Sequence, residues 1–463
     1  MRKIIIASDS FKGSLTSLEV ARAAEEGVKI VEDTKAEEGV KMVEDAKEVE
    51  NTEKAKKDNW GYEKCDDKDN KKCDDKDNKE CEDRDNRECD IRCIEIADGG
   101  EGTAATLTRV LGGNIVKAIV SDPLGRKIEA TYGIAAISGH KTAIMEMAQA
   151  SGLTLLKPSE RNPLLTSTYG TGEMILDALN RGCRKFLIGI GGSATNDGGT
   201  GMLEALGFKF IDSNGRGMTG MCGGSINRIA RIIPPILLEE AEFIIACDVD
   251  TPFCRPDWHK EAEGTEGAEE VWKRDGREGA SEVFGPQKGA TPEEVVLLED
   301  GMQSLNNIIK RDYDIDLSSI KGTGAAGGLG GAFHAFLDGR LQSGIEMVLD
   351  AIGFEKQIKD ADLIITGEGR IDSQTCRGKV ISGITSVAAK YGVPVIAIAG
   401  IVDISEKEIE EAGLKAAFPI GPRPQNESDL EYAMRPEVAS KNISDTVAKA
   451  LASLFPSSFR GNL

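Results

Sequence analysis

Short apolar runs recur along the chain, each closing in a loop rich in Gly, Ser and Asp: KIIIASDSFKGS, IRCIEIADGGEGT, KFLIGIGGSATNDGG, FIIACDVDTP, DLIITGEGRIDSQ and PVIAIAGIVD. Between several of them lie stretches with helical spacing of apolar positions, SLEVARAAEEG, TGEMILDALNRG and GITSVAAKYG. This strand–loop–helix alternation predicts an α/β protein with a largely parallel sheet. Ligands of such sheets bind outside the carboxyl ends of the strands. The polar residues gather at those ends, so the expected site is a cleft lined by several of these loops.

Two segments break the pattern. From about Val28 to Asp90 the chain holds a duplication, EEGVKIVEDTK and EEGVKMVEDAK, and then an eight-residue repeat, CDDKDNKK, CDDKDNKE, CEDRDNRE. Its evenly spaced Cys65, Cys73, Cys81 and Cys89 suggest a metal cluster. Eight residues, however, span ~26 Å as a strand or ~12 Å as a helix, whereas zinc ligands come in close pairs. Tandem duplication of a polar tract is the better account. The expectation is a charged surface helix over the duplicated part and disorder over Lys54–Asp90. The second break, Arg255–Gly279, is rich in Glu and Gly and reads as a surface excursion.

Composition narrows the classes. The 463 residues suggest two domains. A net charge of −21 argues against a non-specific nucleic-acid binder, so nucleic acid is not an expected partner. No apolar run approaches the ~20 residues of a membrane span, and MRKIIIASDSF reads as a first strand, not a signal peptide. Ten cysteines without a secretion signal fit a reducing, cytoplasmic setting. The core cysteines Cys183, Cys222, Cys247, Cys254 and Cys376 have no paired spacing, and only His140, His259 and His334 are present, each isolated. A Ser-His-Asp triad or a histidine metal site is therefore poorly supported.

LIGIGGSATNDGG poses the sharpest question. Gly189, Gly191 and Ala194 match a dinucleotide fingerprint, and Asp212 after GFKFID stands where a ribose ligand would. This makes an NAD-linked oxidoreductase the enzymatic alternative. Against it, Asn196-Asp197-Gly198-Gly199 is a run of poor helix formers. Asn196 and Asp197 present oxygen ligands for Mg²⁺ or an anchor for a substrate hydroxyl, while the backbone of Gly191–Ala194 suits phosphate oxygens. A second glycine match, Gly322-Thr-Gly324-Ala-Ala-Gly327, resembles a kinase Gly-rich loop but reads equally as close packing; no GxxxxGK[ST] occurs. DSFKGS offers Asp9, Ser10, Lys12 and Ser14; ADGGEGT offers Asp98 and Glu101; the loop GEGRID offers Glu368, Arg370 and Asp372; VFGPQKGAT places Lys288 in a turn. As a set of carboxylates and cations at strand ends these suit Mg-nucleotide phosphoryl transfer.

Laid side by side, DSFKGSL, ADGGEGT, RNPLLTSTYGTGE, IGIGGSATNDGGTGMLEALG, CDVDTPFC, VFGPQKGATPE, GTGAAGGLGGAF and ADLIITGEGRIDSQT resemble the bacterial glycerate kinase family, the flavodoxin-like type with a nested second domain. They follow the family's order over nearly the whole chain. The resemblance implies ATP-dependent phosphorylation of D-glycerate, generally to 2-phosphoglycerate. It implies two α/β domains: a Rossmann- or flavodoxin-like one from residues 1–103 and 286–463, and a nested one from 104–285, with the cleft between them. The Val28–Asp90 and Arg255–Gly279 tracts depart from the family pattern. The first falls in a connection, where each doubling of length costs only about 0.6 kcal/mol of closure entropy. The second lies between two site loops, where it would hinder closure or cover the cleft; a chain so disabled would be an inactive nucleotide- or glycerate-binding protein.

In that frame Asp197 is the first candidate for base or hydroxyl anchor, followed by Asp9, with Lys12 completing the catalytic set. Lys12, Lys288 and Arg370 are candidates for phosphate or carboxylate contacts. Ser10, Gly191, Gly192, Ser193, Thr195 and Asn196 would supply main-chain and polar contacts, and Thr168, Tyr169, Gly170 and Thr171 a further turn. Asp98, Glu101, Asp248, Glu368 and Asp372 are available for Mg²⁺, which usually needs one or two carboxylates. The expected partners are small molecules; oligomeric state is not legible in the chain.

Overall fold

The computed structural model describes residues 3–34, 89–235, 241–256, 278–372 and 380–454. Residues 54–88 of the tract expected to be disordered, most of the duplicated segment and the middle of the Arg255–Gly279 excursion lie outside the described residues, while Asp90, at the end of that tract, is ordered by pairing with Lys3 at the start of a strand. Among the described residues, strands β1 to β14 in chain order fall into three sheets, and the chain divides into two compact units.

The first unit comprises residues 1–95, 356–377 and 384–463. Its parallel sheet contains β1 (Lys3–Ser8), β2 (Asp90–Glu95), β12 (Leu363–Ile371), β13 (Val395–Val402) and β14 (Ala416–Pro419). The spatial order β2-β1-β12-β13-β14 is the flavodoxin-like order 2-1-3-4-5 once the unit's own strands are counted. β1 reads KIIIAS and is buried throughout, as a central parallel strand covered on both faces must be. Over one face, the helix of residues 17–34 presents Val20, Ala24 and Val28, and helix Pro436–Leu454 presents Ile443, Val447 and Leu451. Both triplets have the four-residue spacing of one helix face, and both pack with Ile4, Ile6 and Ile365.

The second unit comprises residues 96–355 and 378–383. Its main sheet has the order β11-β10-β6-β5-β4-β3, from β3 (Asn114–Ser121), β4 (Lys127–Ile137), β5 (His140–Glu146), β6 (Lys185–Gly189), β10 (Glu242–Ala246) and β11 (Arg340–Gln342). β5, β6, β10 and β11 run parallel, and β3 and β4 extend the sheet antiparallel. Alternation along β6 and β10 divides the core. Phe186, Ile188, Phe243 and Ile245 enter the large cluster, while Leu187 and Ile244 pack on the opposite side with Leu107 and Val348. Phe186 and Phe243 stack with centroids 4.8 Å apart.

The nested unit is longer than the sequence reading of 104–285. Helix Pro292–Tyr313 buries Leu298, Met302, Leu305 and Ile309, the last three in the same core as Phe186, and β11 pairs with β10. Residues 286–355 therefore belong with the middle of the chain, because their apolar face is buried there.

A small antiparallel sheet, β8 (Gly217–Met218), β7 (Lys209–Asp212) and β9 (Ile229–Ile233), completes the unit. It overturns the dinucleotide reading. In a dinucleotide fold the strand after the glycine turn returns beside the first strand, whereas among the described residues β7 pairs with β8 and β9 in a separate sheet. Asp212 closes a turn by accepting the Asn214 and Arg216 N–H groups at 2.9 and 2.8 Å.

Candidate functional site

In the first unit the strand order changes direction between β1 and β12, and such a switch point leaves a crevice at the carboxyl ends. Ser8, Asp9, Gly367 and Glu368 occupy it. The Asp9 N–H and the Ser8 hydroxyl both donate to Gly367 O, at 3.0 and 2.9 Å, locking the two strand ends together. Asp9 Oδ1 accepts the Ser10 N–H at 2.7 Å, and the residue stays half-buried. Lys12 is exposed on the following turn.

GEGRID is not the loop that its glycines suggest. β12 continues to Ile371, so Glu368 and Arg370 are strand residues paired with Ala399 and Ile401 of β13. Arg370 forms an ion pair with Asp403 and lies 3.8 Å from Asp372. Arg423 Nη1 reaches the same Asp403 at 2.8 Å. Asp403 and Arg423 were missed by the sequence reading, since IVD and GPRP carry no motif that singles them out.

In the second unit the carboxyl ends of β6 and β10 gather a different set. Gly191 and Gly192 are exposed just past β6. Gly192 has φ +72°, which aims its peptide as an L side chain would rarely permit. The ADGG turn lies over the same strand end, with Gly99 O 3.4 Å from the Cβ that Gly189 lacks. Gly99 and Gly344 touch backbone to backbone; a Cβ on Gly344 would stand 2.6 Å from Gly99 Cα. This contact joins Asp98 to Asp248, whose Oδ1 accepts the Gly344 N–H at 2.8 Å. Asp248 is exposed, yet the protein packed about it partly desolvates its carboxyl. That desolvation, with the charges of Asp98 and Glu346, holds its carboxyl above the ordinary value despite the Gly344 bond. Glu101 is exposed in the same turn.

The inner half of the loop has another task. Asp197 is fully buried: Oδ2 accepts the N–H and hydroxyl of Thr168 at 2.8 Å each and the Gly201 N–H at 3.2 Å, and Oδ1 accepts the Gly199 N–H at 3.1 Å. Its carboxylate joins the starts of helices Tyr169–Asn180 and Thr200–Ala205. Burial pushes its pKa up, while those donors pull it back. Lys288, read as a phosphate contact, is also buried and donates to Thr195 O at 2.7 Å. Burial lowers it to about 7, against the pull of Asp197.

Thr168, Gly170 and Thr171 are buried as well, so the TSTYGTG turn is a packed helix start and not an open cradle. Thr168 Oγ1 also accepts the Met202 N–H at 2.9 Å, and Thr171 bonds the Ser151 hydroxyl at 2.8 Å. Ser193 pairs with Gly152 in an isolated bridge. Asn196 Nδ2 donates to Ser281 Oγ at 3.1 Å. The second glycine run is packing too: Gly327 O accepts the Gly198 N–H at 3.0 Å, and a Cβ on Gly327 would stand 2.6 Å from Asn196 Cα. Ala326, Gly327 and Gly328 all take positive φ to allow it.

Two surfaces are thus assembled, one per unit. Asp9, Ser10, Lys12, Glu368, Arg370 and Asp372 belong to the first. Gly191, Gly192, Asp98, Glu101 and Asp248 are displayed on the second, and Ser193, Thr195, Asn196, Asp197, Thr168, Gly170, Thr171 and Lys288 form the packed support behind them.

The chain matches the model of the glycerate kinase family over residues 78–270 and 275–455. It belongs to that family. A glycerate kinase of Halalkalibacterium halodurans is 38% identical over 447 residues, 94% of this chain and 97% of the relative. The glycerate 2-kinase of Escherichia coli is 42% identical over 330 residues, 71% of this chain and 80% of the relative. A solved chain from Salmonella typhimurium LT2, described as a glycerate kinase 2, superposes with a TM-score of 0.71 at 35% identity and covers 99% of both chains. Membership of the glycerate kinase family makes ATP the phosphate donor and a small molecule the acceptor.

Proposed function

We infer that this chain transfers a phosphoryl group from ATP to a hydroxyl of D-glycerate, giving 2-phosphoglycerate. Family membership over almost the whole chain carries the reading, and the name of the Escherichia coli relative favours the 2-position. Phosphoryl transfer asks the protein for positioning and for charge stabilisation.

On the first unit, Asp9 at the switch point suits the task of taking the proton of the attacking hydroxyl. Lys12 offers a cation for the transferring group, and the Arg370 guanidinium suits a carboxylate or phosphate. On the second unit, the peptide groups of Gly191 and Gly192 suit phosphate oxygens at a strand's carboxyl end. Asp197 and Lys288 act behind that turn, holding its shape.

The donor set also fits magnesium. Asp98 raises the carboxyl of Asp248 through its charge, so a cation placed with them would relieve the repulsion, and two carboxylates suffice for Mg²⁺. Among the described residues no group of three or more acidic, His or Cys side chains converges as a metal site, so phosphate and water would complete the shell. Bound there, Mg²⁺ would neutralise charge on the ATP phosphates.

The test is a phosphorus NMR time course with D-glycerate, ATP and Mg²⁺. The expected product is a phosphomonoester doublet, the coupling of a 2-phosphate to one carbon-bound proton; a triplet would move the ester to the 3-position. A folded chain that binds ATP and forms no ester would overturn the kinase reading in favour of a binding protein.

A further inference from the structure

One guanidinium takes no part in the mechanism above. Arg161 opens the stretch RNPLLTSTYGTGE and is half-buried. Its Nε is shielded from solvent and has no hydrogen-bond partner. Among the described residues, Arg161 and Arg255 are the two arginines that the fold takes out of full exposure. Arg255 is well partnered: its guanidinium lies 3.6 Å from Glu282, and its N–H meets the buried Glu299 of helix Pro292–Tyr313 at 2.5 Å. Among the described residues, no carboxylate or carbonyl meets the Arg161 guanidinium.

Acids are not scarce, since the chain holds 78 Asp and Glu against 57 Lys and Arg. Those beside Arg161 are engaged elsewhere. Glu160, the preceding residue, accepts from Arg126 at 2.9 Å through Oε1 and from the Lys157 N–H at 3.0 Å through Oε2. Glu294 meets the following residue, accepting the Asn162 amide at 3.0 Å through Oε1 and the Thr291 N–H at 2.8 Å through Oε2. A guanidinium drawn out of water without an acceptor is unfavourable, and an arriving oxyanion relieves it.

Arg161 also stands beside the loop already described at the end of β6. The Thr166 hydroxyl donates to Ala194 O at 2.9 Å. Pro163 and Asn196 both border Gly223, where a Cβ would collide with Pro163 O and stand 3.0 Å from Asn196 O. Gly289, with φ +96°, packs against Arg161 so closely that a Cβ would stand 2.9 Å from Arg161 Cβ. Its neighbour Lys288 holds Thr195 O. Residues 161–166 therefore run along residues 194–196, the inner half of the loop that displays Gly191 and Gly192.

We infer that Arg161 is a binding residue for an oxyanion of the reactants, the carboxylate of glycerate or a phosphate of the nucleotide. The Nη pair beyond the buried Nε matches two oxygens of one such group, a fork that lysine does not reproduce. The bound oxyanion gives the guanidinium the counter-charge that the fold withholds.

The inference rests on the glycerate kinase reading, but its test needs no turnover. Arg161→Gln and Arg161→Lys are compared with the wild type. Without ligand both should melt at or slightly above the wild-type midpoint, because the group removed has no partner to lose. A midpoint several degrees lower in both would make Arg161 structural and overturn the inference. Dissociation constants are then measured by calorimetry for D-glycerate and, separately, for ATP with Mg²⁺. Arg161→Gln should bind one of them about tenfold to a hundredfold more weakly, with Arg161→Lys in between. A loss confined to D-glycerate assigns the carboxylate; a loss confined to ATP assigns the phosphate. Affinities for both ligands within twofold of the wild type would overturn the inference while leaving an active kinase intact. An affinity that depends on Arg161 in a chain that makes no glycerate ester would uphold the site and overturn the functional reading instead.

Discussion

The ammonium of Lys288 donates to the carbonyl oxygen of Thr195 at 2.7 Å from a position 1% exposed to solvent. A cation so enclosed makes stability depend on pH. Burial depresses Lys288 to about 7, so between there and the ordinary lysine value the unfolded chain binds the extra proton. This contribution therefore rises with pH above 7. Lys288→Met should flatten the rise in thermal midpoint between pH 7 and 9.5 relative to the wild type. Parallel midpoint curves for the two proteins would remove the argument.

Glu299 works in the opposite direction and in a different window. Its folded pKa is raised to about 7, so the folded state holds the extra proton between the ordinary carboxylate value and 7. Its contribution is complete in acid and is lost as pH climbs to neutrality. Glu299→Gln should gain thermal midpoint relative to the wild type between pH 5 and 7.5. A constant difference over that range would show that Glu299 does not titrate there.

Asp197 is expected to fail as a fold residue before it fails as a chemical one. Asp197→Asn keeps one acceptor oxygen but turns an NH2 towards the donors of the other, either the Gly199 N–H or those of Thr168 and Gly201. The cost should be about 2–4 kcal/mol, read as a lower denaturant midpoint. An unchanged midpoint would return the residue to the list of candidate bases.

Asp9 gives the contrasting result. An asparagine keeps Oδ1 for the Ser10 N–H, so Asp9→Asn should fold and melt normally. It should lose about a hundredfold or more in kcat if the carboxylate takes a proton. Turnover within a factor of a few would exclude that role.

Magnesium dependence tests the pair Asp98–Asp248. Asp248→Asn removes one of two mutually repelling charges and should raise the Mg²⁺ concentration for half-maximal rate by at least about tenfold. An unchanged requirement would place the cation elsewhere.

The architecture was legible because parallel strands covered on both faces leave unbroken apolar runs such as KIIIAS and FIIA. Burial of polar residues was much less so. Asp197 and Lys288 carry the letters of chemistry, and a sequence does not distinguish a carboxylate that fastens two helix starts from one that faces a ligand. GEGRID misled for a related reason: glycine and arginine interrupt an apolar run without ending the strand. The domain boundary slipped because helix Pro292–Tyr313 could bury its face against either half of the chain. Glu299 did leave a signal. It follows Val295 by four positions and precedes Met302 by three, on the buried side of that helix, where a charged residue has to be partnered or neutral.

The order of strands in the first unit also governs how the chain comes off the ribosome. β1 is flanked by β2 and β12, with Ile4 beside Leu363, and residues 96–355 of the second unit are synthesised between those neighbours. A nascent chain that ends at residue 355 therefore still carries Ile4, Ile5 and Ile6 on a strand with one open edge. Such an edge invites pairing with other chains until it is closed. Biogenesis of this protein hinges on guarding its first strand until β12 emerges.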